Sequence, residues 1–487
     1  MKRAVRFDLG SFRAMDGTGG GPSLRLPANH LVTHGVIVGM TGSGKTGLIT
    51  VVAEEALRSH IPTIVIDVKG DLPNLLLSFP SLEPSLLAPW LAQGEHALTP
   101  EELTSTIEGR RAALEAASIG VPELEAFAHG VAMRVITPGS SAGEPLHLLS
   151  SLERRSSLWD SDPESARSAL SAAVSLLLRL VGRDPDPAKS KEHVLLSVLA
   201  ERRLAQGENA DIPSLMMDLA NSPVATIGAL PLNSFLKKND RIALAASLNS
   251  LLASPTFASW REGASLDVSE WIASKDGRTP CVIVSVAHLD DEERMLVLGM
   301  VFEEILSWVR GLPGSSELKA LVVFDEVYGF LPPHPANPPT KRPLVALMKQ
   351  ARAFGVGVVL ATQNPMDVDY RALSNAGLWC IGRLQTDADR ARVVDGLASS
   401  VGGVDDAKEL ARKLSRLAPR WFVVRNAHKP DVGNLLVHPR HTISILRGPL
   451  TRIDLKRAIA EREASWYASI KCPSGSTSHM YSTPTFA

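Results

Sequence analysis

Gly39-Met40-Thr41-Gly42-Ser43-Gly44-Lys45-Thr46 follows the spacing G-x-x-x-x-G-K-[ST], and each residue type in it suits a triphosphate. Gly42 and Gly44 can adopt backbone angles closed to other residues, so successive N–H groups can curl inward around an anion. The helix expected from Lys45 adds its positive N-terminal end. Lys45 supplies a point charge for the β- and γ-phosphates, and the Thr46 hydroxyl can take a place on Mg²⁺. With Gly47 in the first turn, the cradle runs from Gly39 to Gly47. This pattern predicts binding of a nucleoside triphosphate with Mg²⁺.

A second set lies far along the chain. Leu321-Val322-Val323-Phe324 reads as a buried strand and ends in Asp325-Glu326, which places two carboxylates at the sheet edge where open α/β folds bind ligands. Asp325 would hold the metal shell, and Glu326 would polarise water for in-line attack. The next strand, Val356 to Ala361, ends in Thr362-Gln363-Asn364-Pro365, so the Gln363 amide could sense the γ-phosphate or position that water. Arg383 follows the strand Trp379 to Gly382. It could act as an arginine finger in its own site or a neighbour's, or pair with Asp387 or Asp389 on the surface; Arg352 and Arg371 compete for the finger role. Asp67 and Lys69 end the second strand, either beside the nucleotide or in an ordinary turn.

The remaining candidates weigh less. The proline-rich loop Leu331 to Pro343 ends basic and could touch DNA, although such loops are common surface connections. Lys237, Lys238 and Arg241 read as a solvated basic cluster. His288 and Cys281 lack partners at ligand spacing and read as structural.

These groups need strands and helices to bring them together. Val36 to Val38 and Thr63 to Val68 read as buried strands on either side of a helix with Leu48, Ile49, Val52, Ala53, Ala56 and Leu57 on one face. That spacing predicts a parallel sheet with a right-handed crossover. Residues 72–271 change to leucine- and alanine-rich helical periodicity, with one short strand candidate at Ala132 to Ile136. The α/β rhythm returns at Pro280. The fold class expected is α/β with a mainly parallel sheet. It divides into an N-terminal segment and first core part (1–71), a mainly helical insertion (72–271), a second core part (272–465) and a disordered tail (466–487).

The 487 residues carry a formal net charge of −1, so no global basic field announces nucleic acid. Cys281, Cys380 and Cys472 are too few and scattered for a disulfide framework or zinc site. No apolar run approaches the roughly 20 residues of a membrane helix, and MKRAVRFDLGSF lacks the apolar core of a secretory signal. The chain reads as cytoplasmic, with no membrane partner.

GMTGSGKT, IDVKGDL, VVFDEVYGFLPP, KQARAFGVGVVLATQNPMDVDYRALSNAG and IGRLQTDADRARVVDGL, in this order, resemble the HerA–FtsK superfamily of P-loop ATPases. Bacterial HerA-like proteins with a helical insertion after the second strand are the most similar. The resemblance implies a RecA-like core, a hexameric ring, ATP hydrolysis at subunit interfaces and translocation of double-stranded DNA, with a nuclease or other protein as a further partner. It assigns Lys45 and Thr46 to the phosphate loop, Asp325 and Glu326 to the Walker B pair, Gln363 to the sensor and Arg383 to the finger neighbourhood. The other function weighed is a ring-forming regulatory or assembly ATPase acting on a protein. A third, a nucleotide-gated module that barely hydrolyses, is disfavoured by Glu326.

Overall fold

In the computed structural model, which describes residues 5–91, 98–149, 152, 155, 158–384, 386–397 and 404–471, one large sheet collects the predicted strands. Its members are β1 (Gly10–Ala14), β2 (Gly35–Val38), β3 (Thr63–Asp67), β4 (Val131–Ile136), β5 (Thr279–Ser285), β6 (Ser315–Phe324), β7 (Phe354–Thr362), β8 (Leu378–Ile381), β9 (Phe422–Asn426) and β10 (Leu435–Pro439). The spatial order is β1-β10-β9-β8-β2-β7-β6-β3-β5-β4. From β8 to β4 every pairing is parallel. β9, β10 and β1 extend that sheet as an antiparallel edge. The architecture is the α/β, mainly parallel arrangement expected of a RecA-like P-loop fold.

Strand geometry sends alternate side chains to opposite faces. Val36, Val38, Ile64, Ile66, Val282 and Val284 enter one core, and Ile37, Val65, Cys281 and Ile283 the other. Such strands must be covered on both sides, which explains their nearly unbroken apolar runs. The first core is roofed by α2 (Pro163–Leu180), α3 (Lys191–Ala205), α4 (Ile212–Ala220), α5 (Lys238–Ala253) and α6 (Asp291–Arg310). The second takes α1 (Lys45–Arg58), the helices Pro100–Glu115 and Val121–Gly130, and α7 (Arg452–Lys471).

Residues 72–271 are therefore not one helical block. The first helices of this stretch pack on the α1 face, the chain then returns to the sheet as its outer strand β4, and the later helices cover the opposite face. Val131–Ile136 is too short to announce by periodicity that it pairs with β5 rather than within an insertion. Residues 466–471, expected in a disordered tail, belong instead to α7, which continues to Lys471. Residues 472–487, including Cys472, lie outside the described residues.

The helix α1 has the expected apolar face, yet it also buries Glu54 and Glu55. Arg440, just past β10, reaches both, with Nη1 2.8 Å from Glu54 and Nη2 2.9 Å from Glu55. Backbone N–H groups of Ile443 and Ser444 donate to the Glu54 carboxylate at 3.0 and 2.9 Å. A buried charge survives only when paired and hydrogen-bonded, and here the pairing ties the nucleotide helix to the antiparallel edge.

Candidate functional site

The register of the parallel strands places their carboxyl ends in one row. Val38 lies opposite Thr362 on one side and Ile381 on the other. Phe324 lies opposite Ile66, and Ser285 opposite Asp67. Every predicted site segment therefore leaves the sheet at the same rim, around the crevice typical of open α/β folds.

At that rim the Gly39 N–H donates to Thr362 O at 3.3 Å and the Met40 N–H to Arg383 O at 2.8 Å. Gly42 and Gly44 have φ of +77° and +94°, in the left-handed region the nest requires. A Cβ on Gly39 would fall 2.5 Å from Ser43 Oγ, so the loop closes only with glycine there. Among the described residues no acceptor takes the N–H groups of Gly42, Gly44, Lys45 or Thr46. Gly42 is exposed and Gly44 and Thr46 are half-buried, so these N–H groups stand open to an incoming anion. The residues present fit a nucleotide.

Lys45 is buried and folds back, donating to Gly39 O and, at 3.2 Å, to Met40 O. Burial holds its ammonium down to about 8, against the opposing pull of Glu326 and Asp325. Asp325 is 3% exposed, and burial pushes its carboxyl up to about 6, with Lys69 opposing and Glu326 adding to the rise. No donor among the described residues hydrogen-bonds the Asp325 carboxylate. A buried carboxylate of this kind suits a cation. Mg²⁺ is commonly held by one or two carboxylates plus phosphate oxygens and water. Thr46, in the first turn of α1, and Asp325 are the residues that would hold it.

Glu326 joins the group through its neighbours. Gln363 Nε2 donates to Glu326 Oε2 at 2.6 Å, and Thr41 Oγ1 donates to Gln363 Oε1. Lys69 Nζ lies 2.6 Å from the same Glu326 Oε2. A polar chain thus runs from the phosphate loop through Gln363 and Glu326 to the tip of β3. The two readings of Asp67 and Lys69 divide between them. Asp67 is fully buried and shapes the turn, accepting from Gly70 N at 3.0 Å and Ser285 Oγ at 2.7 Å. Burial raises its carboxyl above the usual range. Lys69 reaches the site.

Arg383 sits beside the cradle of its own chain, but its side chain is exposed. Asp387 pairs instead with Arg390, and Asp389 accepts from Thr386. Arg371 is also exposed, in the short helix after β7. Arg352 lies at the opposite rim, where it pushes the imidazole of buried His34 further down after burial itself.

The weaker candidates make contacts within the chain. The basic end of the proline-rich loop is occupied: Lys341 pairs with Asp369 at 3.4 Å and Arg342 with Glu164 at 3.4 Å. Lys237 and Lys238 are exposed, as a solvated surface requires, whereas Arg241 is buried, donating to Asn233 Oδ1 at 2.9 Å and Leu219 O at 3.4 Å. His288 bonds Pro138 O at 2.7 Å. Cys281 and Cys380 are buried in strands, and burial pushes both thiols up to about 12.

Sequence reasoning missed Arg420. Its N–H donates to Ser43 O at 2.9 Å, its φ is +65°, and its Cα would lie 3.1 Å from a Cβ on Gly44. Nothing in a single arginine before Trp421 signals this placement.

The fold and the phosphate loop define a P-loop nucleotide-binding protein. Residues 9–113 match the family model described as "Helicase HerA, central domain", a stretch that contains the phosphate loop and Lys69 but ends before Asp325. Among solved structures, the bacterial conjugative coupling protein TrwBdeltaN70 in complex with sulphate is similar over 88% of this chain and 90% of that one, at 13% identity and a TM-score of 0.47. VirB4 of Thermoanaerobacter pseudethanolicus covers 91% and 97%, at 12% and 0.46. The genome packaging NTPase B204 from Sulfolobus turreted icosahedral virus 2, in complex with sulfate, covers 37% and 72%, at 14% and 0.25. No curated protein matches the chain. Among the described residues no helix is long and apolar enough to cross a membrane.

Proposed function

We propose that this chain is an ATP-hydrolysing motor that translocates on, or remodels, double-stranded DNA as an oligomeric ring. The observation that carries the hydrolytic part is the meeting of three strand tips, those of β2, β6 and β7. Lys45 and the open N–H groups of its loop face the buried Asp325, while Glu326 and Gln363 stand beside them. In this reading the loop and Lys45 hold the β- and γ-phosphates, and Thr46 and Asp325 would hold Mg²⁺, which would supply charge neutralisation for the transferring phosphoryl group. Glu326 accepts a proton from the attacking water, and Gln363 links that carboxylate to Thr41. Arg383 is the candidate finger, exposed at the rim where a second subunit could meet it. The match to the HerA central domain supports a DNA-directed motor.

The protein-partner reading has one observation in its favour. Lys341 and Arg342, the cations best placed by sequence to meet DNA, are engaged inside the chain. A single experiment separates the two: ATPase rate with and without duplex DNA across a salt series, beside particle size in ATP. A DNA motor gives turnover stimulated by duplex, a steep loss of DNA affinity with salt, and a ring-sized particle. Lys45→Ala abolishes the activity. Glu326→Gln lowers kcat by roughly 10²-fold or more. Turnover indifferent to every nucleic acid would overturn the DNA assignment in favour of a protein substrate.

A further inference from the structure

Glu326 occupies a conformation that its residue type resists. Its φ is +62°, a region that a side chain without the short polar reach of Asn or Asp enters at a cost of about 1–2 kcal/mol. Such an outlier persists only where its surroundings over-determine it. The following residue is pinned, since the Val327 N–H donates to Ala361 O at 2.8 Å. The side chain is held by two donors on one oxygen: Lys69 Nζ and Gln363 Nε2, each 2.6 Å from Oε2. Among the described residues, Oε1 has only the long 3.5 Å approach of the Gln363 N–H.

We propose that Lys69 is a positioning residue that saturates Glu326 Oε2 and so leaves Oε1 as the oxygen presented to water. The inference rests on the hydrolytic reading above. Glu326 Oε1 takes the proton of the water whose oxygen bonds the γ-phosphorus, as the bridging bond to the β-phosphate breaks and ADP and phosphate form. Lys69 does not touch the reacting atoms. It is kept in place by the turn that Asp67 closes, through Gly70 at φ +89° and the bonds from Gly70 N and Leu72 N to Asp67 Oδ1. With the ammonium gone, Gln363 alone would hold Oε2, and the carboxylate could rotate out of line. Misplacement of a reacting group by about 1 Å costs on the order of 10²-fold in rate.

The test compares Lys69→Met and Lys69→Arg with the unaltered full-length chain, reading kcat and KM for MgATP and the affinity for a fluorescent ADP analogue. Lys69→Met should lower kcat by roughly 10- to 100-fold and leave KM and ADP-analogue affinity within about twofold of the parent, because the ammonium acts through Glu326. Lys69→Arg, which keeps the charge and a donor, should restore most of kcat. Hydrogen–deuterium exchange without nucleotide gives a readout apart from turnover: peptides covering 325–331 should exchange faster in Lys69→Met. Unchanged kcat and exchange would overturn the inference. So would a loss confined to KM and ADP affinity, which would make Lys69 a direct phosphate ligand. If the unaltered chain binds nucleotide without hydrolysing it, the hydrolytic reading fails instead, and the proposal falls with it even where the exchange arm shows Lys69 holding the turn.

Discussion

The Arg420 N–H donates to Ser43 O at 2.9 Å, so the turn before β9 rests directly on the phosphate loop. The same contact explains Gly44. At φ +94° any Cβ there is strained, and it would also lie 3.0 Å from Arg420 Cγ and 3.1 Å from its Cα. Gly44→Ala should therefore lower nucleotide affinity by roughly tenfold or more, from about 1–2 kcal/mol of backbone strain plus displacement of the turn. Arg420→Gly keeps the N–H and relieves the left-handed φ, so its melting temperature should stay close to the parent's. Titration with a fluorescent nucleotide, beside a thermal melt of each variant, reads both outcomes.

Asp325 and Lys45 set opposite limbs of a pH profile. The Asp325 carboxyl, raised to about 6 by burial, must be ionised to hold a cation. The Lys45 ammonium, lowered to about 8 by burial, must be protonated to meet phosphate. As pH falls through about 6 the carboxylate gains its proton and metal-dependent turnover declines; as pH rises past about 8 the ammonium loses its proton and phosphate binding declines. Because kcat/KM reports groups of the free enzyme, the expected profile for MgATP is a bell between those values. An acid limb near the ordinary aspartate range of about 4 would contradict the buried placement of Asp325.

Arg440 is the stability counterpart of the site. Replacing it with Met leaves Glu54 and Glu55 buried without their cation, and such a broken pair costs about 3–5 kcal/mol. Urea unfolding of Arg440→Met should show that loss. The variant that also carries Glu54→Gln and Glu55→Gln should recover part of it, because no uncompensated carboxylate then remains while the amide oxygens can still accept from the Ile443, Ser444 and Asp8 N–H groups.

The local part of the site is legible from the chain alone. Lys45 and Thr46 follow from glycine spacing, and Asp325, Glu326 and Gln363 follow from apolar runs that stop at polar residues, because backbone freedom and side-chain burial act over a few residues. The mainly parallel sheet is legible for the same reason: strands covered on both faces must be apolar throughout.

Strand order is not local. Only the tertiary arrangement seats β7 beside both β2 and β6, which puts Gln363 between Thr41 and Glu326, and β3 beside β6, which delivers Lys69 to Oε2. It also splits the helices of residues 72–271 between two faces, gives Glu54 and Glu55 their cation, and sets Arg420 against Ser43. Residue type and spacing decide which short segments form and where each one ends. Which ends become neighbours depends on how both faces of the sheet are covered at once, and that balance of packing is a property of the whole folded chain.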